Sequence, residues 1–116
     1  MAESPSTPLD ITVDDTGLES ERTVVVRGEV DLDSSDQLSR VLTETVAALD
    51  EGPSVCLHLD LDGVGYMDST GLRAVLMARD ELLQRGGSLD VVAASAIVRR
   101  LIEITGLHDL LGTTAP

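Results

Sequence analysis

Segments with a two-residue hydrophobic period alternate along this chain with segments of helical period, which restricts it to a sheet with helices packed against it. The predicted strands cover residues 9–13, 23–27, 55–61 and 88–92. The β-branched run 24–26 is typical of a strand that is covered on both faces. The glycine-rich segment 62–67 is predicted to be a loop, and residues 107–111 a short strand or turn.

Three helices are predicted between and after these strands. The first begins at a Ser34–Ser35 cap and ends before Gly52–Pro53, the second ends at Gly86–Gly87, and the third begins at Ser95 and ends at Gly106. The side chains expected to face the core are Leu38, Val41, Leu42, Val46 and Leu49 in the first helix, Leu72, Val75, Leu76, Leu82 and Leu83 in the second, and Ile97, Leu101 and Ile104 in the third.

The order of these elements predicts a single α/β domain over residues 9–111, with a mixed sheet of four to five strands and helices mainly on one face. A disordered tail is expected at 1–8 and a frayed one at 112–116. In such sheets, functional groups tend to lie in the loops that follow strands. The segment around residues 62–72 is therefore the first place to look for a site.

The chain of 116 residues has a formal net charge of −13, and it contains no lysine. Such an acidic surface repels nucleic acid and anionic membranes, so neither is an expected partner. Without lysine there can be no P-loop and no Schiff-base chemistry. A single aromatic residue, Tyr66, also argues against a platform for stacking bases.

The single cysteine, Cys56, excludes an intrachain disulfide and is expected to be a small buried apolar group. His58 is expected to be a packed structural residue and His108 a solvated one. The two histidines and the cysteine show no metal-ligand spacing, so no metal site and no cofactor are predicted. No secretory signal or membrane span is recognisable, which favours a reducing cytoplasm.

The run Asp68–Ser69–Thr70 stands where the second helix begins and has two interpretations. These residue types are common at helix starts because their oxygens accept hydrogen bonds from free N–H groups. Alternatively, Ser69 is a phosphorylation site, since the start of a helix tolerates an added anion. On spacing alone the capping interpretation is favoured.

Glu29 and Asp31 are either solvated carboxylates or part of a binding patch on one face. With no histidine or nucleophile beside them, they do not form a catalytic pair. Asp60 and Asp62 suggest the acidic cluster of a two-component receiver, but that chemistry needs a lysine. Outside the apolar stripe of the second helix, Arg73 and Met77 are expected to face partly outward, which suits a contact surface.

Four blocks of the sequence follow one another in a characteristic order: residues 28–31 (Gly-Glu-Val-Asp), 55–60 (Val-Cys-Leu-His-Leu-Asp), 66–72 (Tyr-Met-Asp-Ser-Thr-Gly-Leu) and 100–107 (Arg-Leu-Ile-Glu-Ile-Thr-Gly-Leu). In order and spacing these blocks resemble the STAS-domain anti-sigma factor antagonists. The Asp-Ser-Thr-Gly-Leu stretch is the most specific of them.

The resemblance implies a bacterial regulator, not an enzyme, that binds an anti-sigma factor and thereby frees a sigma factor. That partner is often a serine kinase with an ATP site, which inactivates the antagonist by phosphorylating it, and a metal-dependent serine phosphatase restores it. On this chain the phosphorylated residue is expected to be Ser69. The expected partner-binding residues are Glu29, Asp31, Asp68, Ser69, Thr70, Gly71, Leu72 and Arg73.

The chain departs from this family pattern in two places. Thr70 stands where a second serine is common in the closest relatives, and it is a possible second acceptor. The chain also ends soon after Leu111, where the family usually has a further helix. An edge of the sheet left exposed in this way could support a weak homodimer.

Two other classes of function stay open from the sequence. The chain could be a STAS adaptor subunit of a lipid-transport or stress-signalling complex, in which Ser69 would only cap a helix. It could also be an enzyme, which is disfavoured because no acid–base pair, activated nucleophile or cofactor loop is recognisable.

Overall fold

Four strands form one mixed sheet in the order β1-β2-β3-β4 in this computed structural model, which describes residues 9–14 and 20–111. The strands are β1 (Asp10–Asp14), β2 (Glu21–Val30), β3 (Cys56–Met67) and β4 (Ser88–Ala94). β1 is antiparallel to β2, whereas β2, β3 and β4 are parallel to one another. The predicted mixed sheet is thus confirmed, with four strands among the described residues.

Helices connect the parallel strands, as parallel pairing requires. They are α1 (Ser35–Ala48), α2 (Ser69–Gln84) and α3 (Ala96–Ile104), followed by a 3₁₀ helix (His108–Leu111). α1 and α2 pack against each other, and Arg85 at the end of α2 donates hydrogen bonds to the carbonyls of Val46 and Leu49 at the end of α1. These two bonds join the end of α2 to the end of α1, where the Val46 carbonyl also accepts a hydrogen bond from the N–H of Leu49.

The core lies between the helices and one face of the sheet. Along β3, Leu57, Leu59 and Leu61 are buried, whereas Cys56 and His58 on the opposite face are only half-buried. All three helices and the 3₁₀ helix contribute buried side chains to the same apolar cluster. We call the opposite side the outer face; its side chains include those of Thr23, Val25, Cys56, His58, Asp60 and Asp90.

The glycine-rich segment 62–67 is not a loop, as the sequence predicted, but the second half of β3. It stays paired with β2 through two irregularities in the register, and Gly28 adopts a φ of +107° beside one of them. Bulges of this kind keep a strand paired while they change its direction. The run 24–26 also differs from expectation, because Val24 and Val26 are buried but Val25 is only half-buried.

The predicted core stripe of α3 is wrong at Ile97 and Ile104, whereas Leu101 is half-buried and packs against the core. Val98 and Ile102 are buried, whereas Ile97 is 39% and Ile104 71% exposed. Leu83 of α2, also expected in the core, is 51% exposed. In the segment 107–111, predicted to be a short strand or turn, residues 108–111 form a 3₁₀ helix, and Leu110 in this helix is fully buried. The tails predicted at 1–8 and 112–116 lie outside the described residues.

Candidate functional site

The junction between β3 and α2 is built around the side chain of Asp68. This residue is the N-cap of α2, and its Oδ1 accepts hydrogen bonds from the N–H groups of Thr70 (3.0 Å) and Gly71 (3.3 Å). The Thr70 hydroxyl donates to the same oxygen. Asp68 therefore fulfils the capping role that Asp, Asn, Ser or Thr has at a helix start.

These hydrogen bonds favour the ionised form of Asp68. The hydrogen bond from the Thr70 hydroxyl is the main cause that lowers the pKa of the Asp68 carboxyl, opposed by partial burial and reinforced by the N–H groups of Gly71 and Thr70. The start of α2 thus carries a fixed negative charge directly beside Ser69.

The side chain of Ser69 is exposed at the first position of α2. Within residues 9–14 and 20–111 its hydroxyl has no hydrogen-bond partner, because Asp68 does the capping. The neighbouring hydroxyl of Thr70 is instead half-buried and bonded to Asp68. The two adjacent hydroxyls therefore differ sharply in their availability to an external group.

Two of the predicted partner-binding residues, Gly71 and Leu72, lie in the interior. Leu72 is only 4% exposed. A Cβ added at Gly71 would lie 2.6 Å from Cγ1 of Val30 and 2.9 Å from Cγ of Met67. The absence of a side chain lets the first turn of α2 pack closely on the ends of β2 and β3. These two residues position the exposed surface and do not form part of it.

Glu29 and Asp31 flank Val30, whose carbonyl accepts a hydrogen bond from the N–H of Asp68 at 3.2 Å. The end of β2 therefore lies directly beside the start of α2, and both acidic residues belong to the same edge of the sheet as Ser69. Glu29 pairs with Tyr66 in the strand register. Both acidic residues are half-buried.

Asp31 has a structural role that the sequence did not reveal. Its Oδ1 accepts hydrogen bonds from the N–H groups of Asp33 (3.0 Å) and Ser34 (3.1 Å) and from the Ser34 hydroxyl (3.1 Å). The single O–H of Ser34 is shared between this oxygen and the carbonyl of Glu29, which lies 2.9 Å away, and the Ser34 Oγ accepts a hydrogen bond from the N–H of Asp31 at 3.0 Å. Asp31 therefore fixes the turn between β2 and α1.

Exposed apolar side chains surround this edge of the sheet. Leu32, in the turn after β2, is 71% exposed, and Met77 of α2 is 60% exposed. Tyr66 is 43% exposed. The outward position of Met77 and Arg73 agrees with the helical spacing, whereas Leu32 was missed, because one apolar residue in a turn gives no periodic signal.

A groove of about 220 Å³ lies between the starts of α1 and α2. Its lining includes Ser35, Asp36, Ser39, Thr70, Arg73 and Met77. The groove adjoins the first turn of α2, so a protein that docks over Ser69 can also reach it.

A second cluster lies on the outer face. Cys56 and His58 of β3 and Asp90 of β4 are half-buried, and their potential ligand atoms all lie within 4.8 Å of one another. Burial is the main cause that raises the pKa of the Cys56 thiol; a hydrogen bond with Ser88 opposes it, and the charge of Asp90 adds to it. His108 is exposed, as expected. The sequence did not place Asp90 with the other two residues.

Within residues 9–14 and 20–111, no helix has both the length and the apolar character needed to cross a lipid bilayer.

Comparisons with known proteins agree with the fold and with the sequence blocks. The STAS domain family model matches residues 12–116. An anti-sigma-B factor antagonist of Listeria monocytogenes is 38% identical over 88 residues, which cover 76% of this chain and 74% of that protein. An anti-sigma-B factor antagonist of Staphylococcus aureus is 31% identical over 103 residues, or 89% of this chain and 92% of that protein.

Among solved structures, the crystal structure of an anti-sigma factor antagonist from Mycobacterium paratuberculosis superposes with a TM-score of 0.74. It shares 28% sequence identity and covers 90% of this chain and 84% of its own. The fold and the sequence together define a regulatory α/β module of the antagonist type. This chain belongs to the STAS domain family.

Proposed function

We propose that this chain is an anti-sigma factor antagonist whose binding to its anti-sigma factor is abolished by phosphorylation of Ser69. The relatives named for this activity align over most of the chain. Phosphorylation at Ser69 is supported by a difference between two adjacent hydroxyl groups. The hydroxyl of Ser69 is exposed and has no partner among the described residues, whereas the hydroxyl of Thr70 is bonded to Asp68.

The proposed partner is an anti-sigma factor that is also a serine kinase with an ATP site. The kinase transfers the terminal phosphoryl group of ATP to the oxygen of Ser69; a new P–O bond forms, the bond to the ADP leaving group breaks, and the hydroxyl proton passes to a base of the kinase. A serine phosphatase hydrolyses the phosphoester and restores the hydroxyl. This chain acts as ligand and substrate and has no catalytic role, and we place the exchange in the cytoplasm.

The phosphate acts at the interface and leaves the fold intact. It adds a charge of about −1.5 to −2 beside Asp68, on the edge that also carries Glu29 and Asp31. The N–H groups of Thr70 and Gly71 already bond to the Asp68 carboxylate, and the N–H of Leu72 bonds to its carbonyl. The phosphate can therefore gain little from the helix start. It stays exposed, where a docked protein would have to desolvate it beside like charges.

The proposed contact surface consists of Glu29, Asp31, Asp68, Ser69, Thr70 and Arg73, extended by the exposed side chains of Leu32 and Met77. Protein interfaces typically have an apolar centre and a polar rim, and this surface offers side chains of both kinds. Gly71 and Leu72 support this surface from below. A weak homodimer through an edge of the sheet stays a prediction, to be checked by sedimentation of the purified chain.

The test is intact-mass measurement after incubation with ATP, Mg²⁺ and each candidate serine-kinase anti-sigma factor from the same genome. Wild type, Ser69→Ala and Thr70→Val are compared. We expect one added phosphate in wild type and in Thr70→Val, and none in Ser69→Ala. Binding is then measured before and after phosphorylation, and we expect the phosphorylated chain to lose the complex.

Other outcomes identify which part of the proposal fails. A phosphate that persists in Ser69→Ala and disappears in Thr70→Val would move the site to Thr70. If the chain bound an anti-sigma factor but was never phosphorylated, the antagonist role would stand and regulation by phosphorylation of Ser69 would be excluded. Failure to bind every candidate, together with a stable complex with a transporter or scaffold subunit, would favour the adaptor function.

A further inference from the structure

The outer face of the sheet brings together three side chains of different metal-binding chemistry. Cys56 and His58 are two residues apart on β3 and point to the same side, and Asp90 of β4 is the register partner of His58. The Sγ of Cys56 lies 3.8 Å from Nδ1 of His58 and 4.0 Å from Oδ2 of Asp90. All three side chains are half-buried, so they are reachable and still held by their strands.

We propose that Cys56, His58 and Asp90 bind a single Zn²⁺ ion through Sγ, Nδ1 and a carboxylate oxygen, with water as the fourth ligand. This site is independent of the phosphorylation of Ser69. On binding, the Zn–S bond replaces the S–H bond of Cys56, and the proton is released to solvent. Neither oxidation nor reduction is involved.

The spacing of the ligand atoms fits such an ion after a small contraction. In a tetrahedral site with Zn–S of about 2.3 Å and Zn–N of about 2.0 Å, neighbouring sulfur and nitrogen ligands lie about 3.5 Å apart. The Sγ–Nδ1 separation of 3.8 Å is longer than this by about 0.3 Å. The Sγ of Cys56 lies 4.0 Å from Oδ2 of Asp90, and all three ligand atoms lie within 4.8 Å of one another. Binding would draw the three ligand atoms together by rotation about the side-chain bonds of Cys56, His58 and Asp90.

The second nitrogen of His58 faces a carboxylate at ion-pair distance, which is longer than a hydrogen bond. Its Nε2 lies 3.8 Å from Oε1 of Glu21, the first residue of β2. Histidines that bind metal through one nitrogen commonly donate the other N–H to a carboxylate, which fixes the tautomer and the orientation of the ring. Glu21 is also the register partner of Cys56, so the supporting carboxylate and the ligands lie on three adjacent strands.

The donor set selects zinc over the hard cations of the cell. Mg²⁺ and Ca²⁺ take oxygen ligands almost exclusively and are poorly served by a thiolate and an imidazole. Thiolate, imidazole and one carboxylate are all ligands of Zn²⁺, and three protein ligands leave one position for exchange. The ion would connect β3 to β4 near their amino ends, whereas Ser69 follows the carboxyl end of β3.

The experiment uses Co²⁺ as a spectroscopic probe and Zn²⁺ as its competitor on the full chain. We expect one equivalent of Co²⁺ to produce a thiolate-to-cobalt charge-transfer band and the visible bands of a tetrahedral ion, both removed by one equivalent of Zn²⁺. Because Cys56 is the only cysteine, Zn²⁺ should also slow its alkylation, as measured by intact mass. This second measurement needs no variant.

Variants assign the ligands. Cys56→Ser, His58→Gln and Asp90→Asn should each weaken Zn²⁺ binding about 100-fold or more, and Glu21→Gln should weaken it by about 10- to 100-fold, as loss of a supporting carboxylate does. The controls are His108→Gln, which removes the other histidine, and Asp60→Asn, which changes the next carboxylate on the same face of β3. Both controls should bind as wild type does.

Several results would overturn the site. They are the absence of a thiolate-to-cobalt band in wild type, alkylation of Cys56 at the same rate with and without Zn²⁺, or equal loss of affinity in His108→Gln and His58→Gln. Circular dichroism of each variant shows whether it is folded, and the alkylation result decides the question if a variant is not. Phosphorylation of Ser69 should be unchanged by Zn²⁺, so this test and that of the proposed function fail separately.

Discussion

The two junctions that lead from β2 into α1 and from β3 into α2 lie side by side and use the same device. In each, an aspartate directly follows the strand: Asp31 after Val30, and Asp68 after Met67. The Oδ1 atom of each accepts hydrogen bonds from the N–H groups two and three residues further on, and from one hydroxyl. Both turns are therefore stabilised by an aspartate that satisfies otherwise free backbone donors.

The two junctions differ in the hydrogen bonding of the serine hydroxyl that each contains. Ser34 precedes α1, and its hydroxyl bonds to Asp31 and to the carbonyl of Glu29. Ser69 stands one place inside α2, after the capping aspartate, and its hydroxyl has no partner among the described residues. A shift of one position relative to the cap thus decides whether a serine at a helix start is structural or available for modification.

The largest expected effect is on partner binding. Ser69→Asp should weaken binding to the anti-sigma factor by about 2–4 kcal/mol, or roughly 30- to 1000-fold, because a negative charge is then desolvated beside Asp68. Calorimetric titration measures the change. Ser69→Asn has nearly the same shape without the charge, so its loss should be much smaller.

Ser54→Asp is the matched control for that charge. Ser54 is exposed in the loop before β3, at the opposite end of that strand from Ser69. Its substitution adds the same charge to the molecule and should leave binding within about twofold, because exposed charges separated by more than about 10 Å are largely screened at physiological salt. An equal loss in both aspartate variants would mean that net charge, not the junction, controls binding.

The next largest effect is expected on the side-chain packing beneath the junction between β3 and α2. Gly71→Ala should lower the free energy of unfolding by about 1–3 kcal/mol, because its Cβ would meet Val30 and Met67 at less than 3 Å. Urea unfolding measures this change. The control is Gly65→Ala in the same strand–helix segment, where an added Cβ meets no atom of residues 9–14 and 20–111 within 4 Å. A neutral Gly71→Ala would show that the two side chains can move aside at no cost.

Much of this organisation could be predicted from local patterns. The caps, the helix stops and the alternation along β3 are properties of neighbouring residues, so the spacing of apolar groups gave the strands and helices approximately. The strand character of residues 62–67 was missed because Gly63 and Gly65 suggest a turn. Pairing with β2 through two bulges nevertheless keeps them in the sheet.

Other features depend on contacts that no local pattern contains. In α3 two neighbouring stripes are apolar, and only packing against the sheet selects Val98 and Ile102 over Ile97 and Ile104. Asp90 reaches Cys56 and His58 through the pairing of β3 with β4, whose register is set by the whole sheet. The exposure of Ser69 could be suspected from the sequence, but the bond from Thr70 to Asp68 could not.

A smaller effect is expected from removing the carboxylates of the two junctions, of which Asp68 caps α2 and Asp31 holds the turn before α1. Asp68→Ala and Asp31→Ala should each lower the free energy of unfolding by about 0.5–2 kcal/mol, the usual cost of losing a cap or the hydrogen bonds of a carboxylate. Urea unfolding of the two variants side by side tests whether the junctions are equivalent. If Asp31→Ala left the free energy of unfolding unchanged while Asp68→Ala lowered it, the two turns would share their geometry but not their contribution to stability.

The charge of Asp68 adds a pH dependence to this cap. Its pKa in the folded chain lies below the ordinary value of 3.8, so the unfolded chain binds the proton more readily and ionised Asp68 stabilises the fold. This stabilisation is complete above pH 3.8 and is lost as the pH falls through the folded pKa. The stability difference between wild type and Asp68→Asn should therefore shrink below pH 3.8 in urea titrations; a constant difference would contradict this.

The smallest expected effect is the change in the free energy of unfolding when Ser34 or Ser69 is replaced by alanine. Ser34→Ala removes a hydroxyl with three hydrogen-bond contacts and should lower the free energy of unfolding by about 0.5–1.5 kcal/mol. Ser69→Ala removes an exposed hydroxyl without a partner among the described residues and should change it by less than about 0.5 kcal/mol. Thermal unfolding at fixed pH separates the two. Equal losses would mean that the hydroxyl of Ser69 also stabilises its helix, and a phosphate on it would then change the fold as well as the interface.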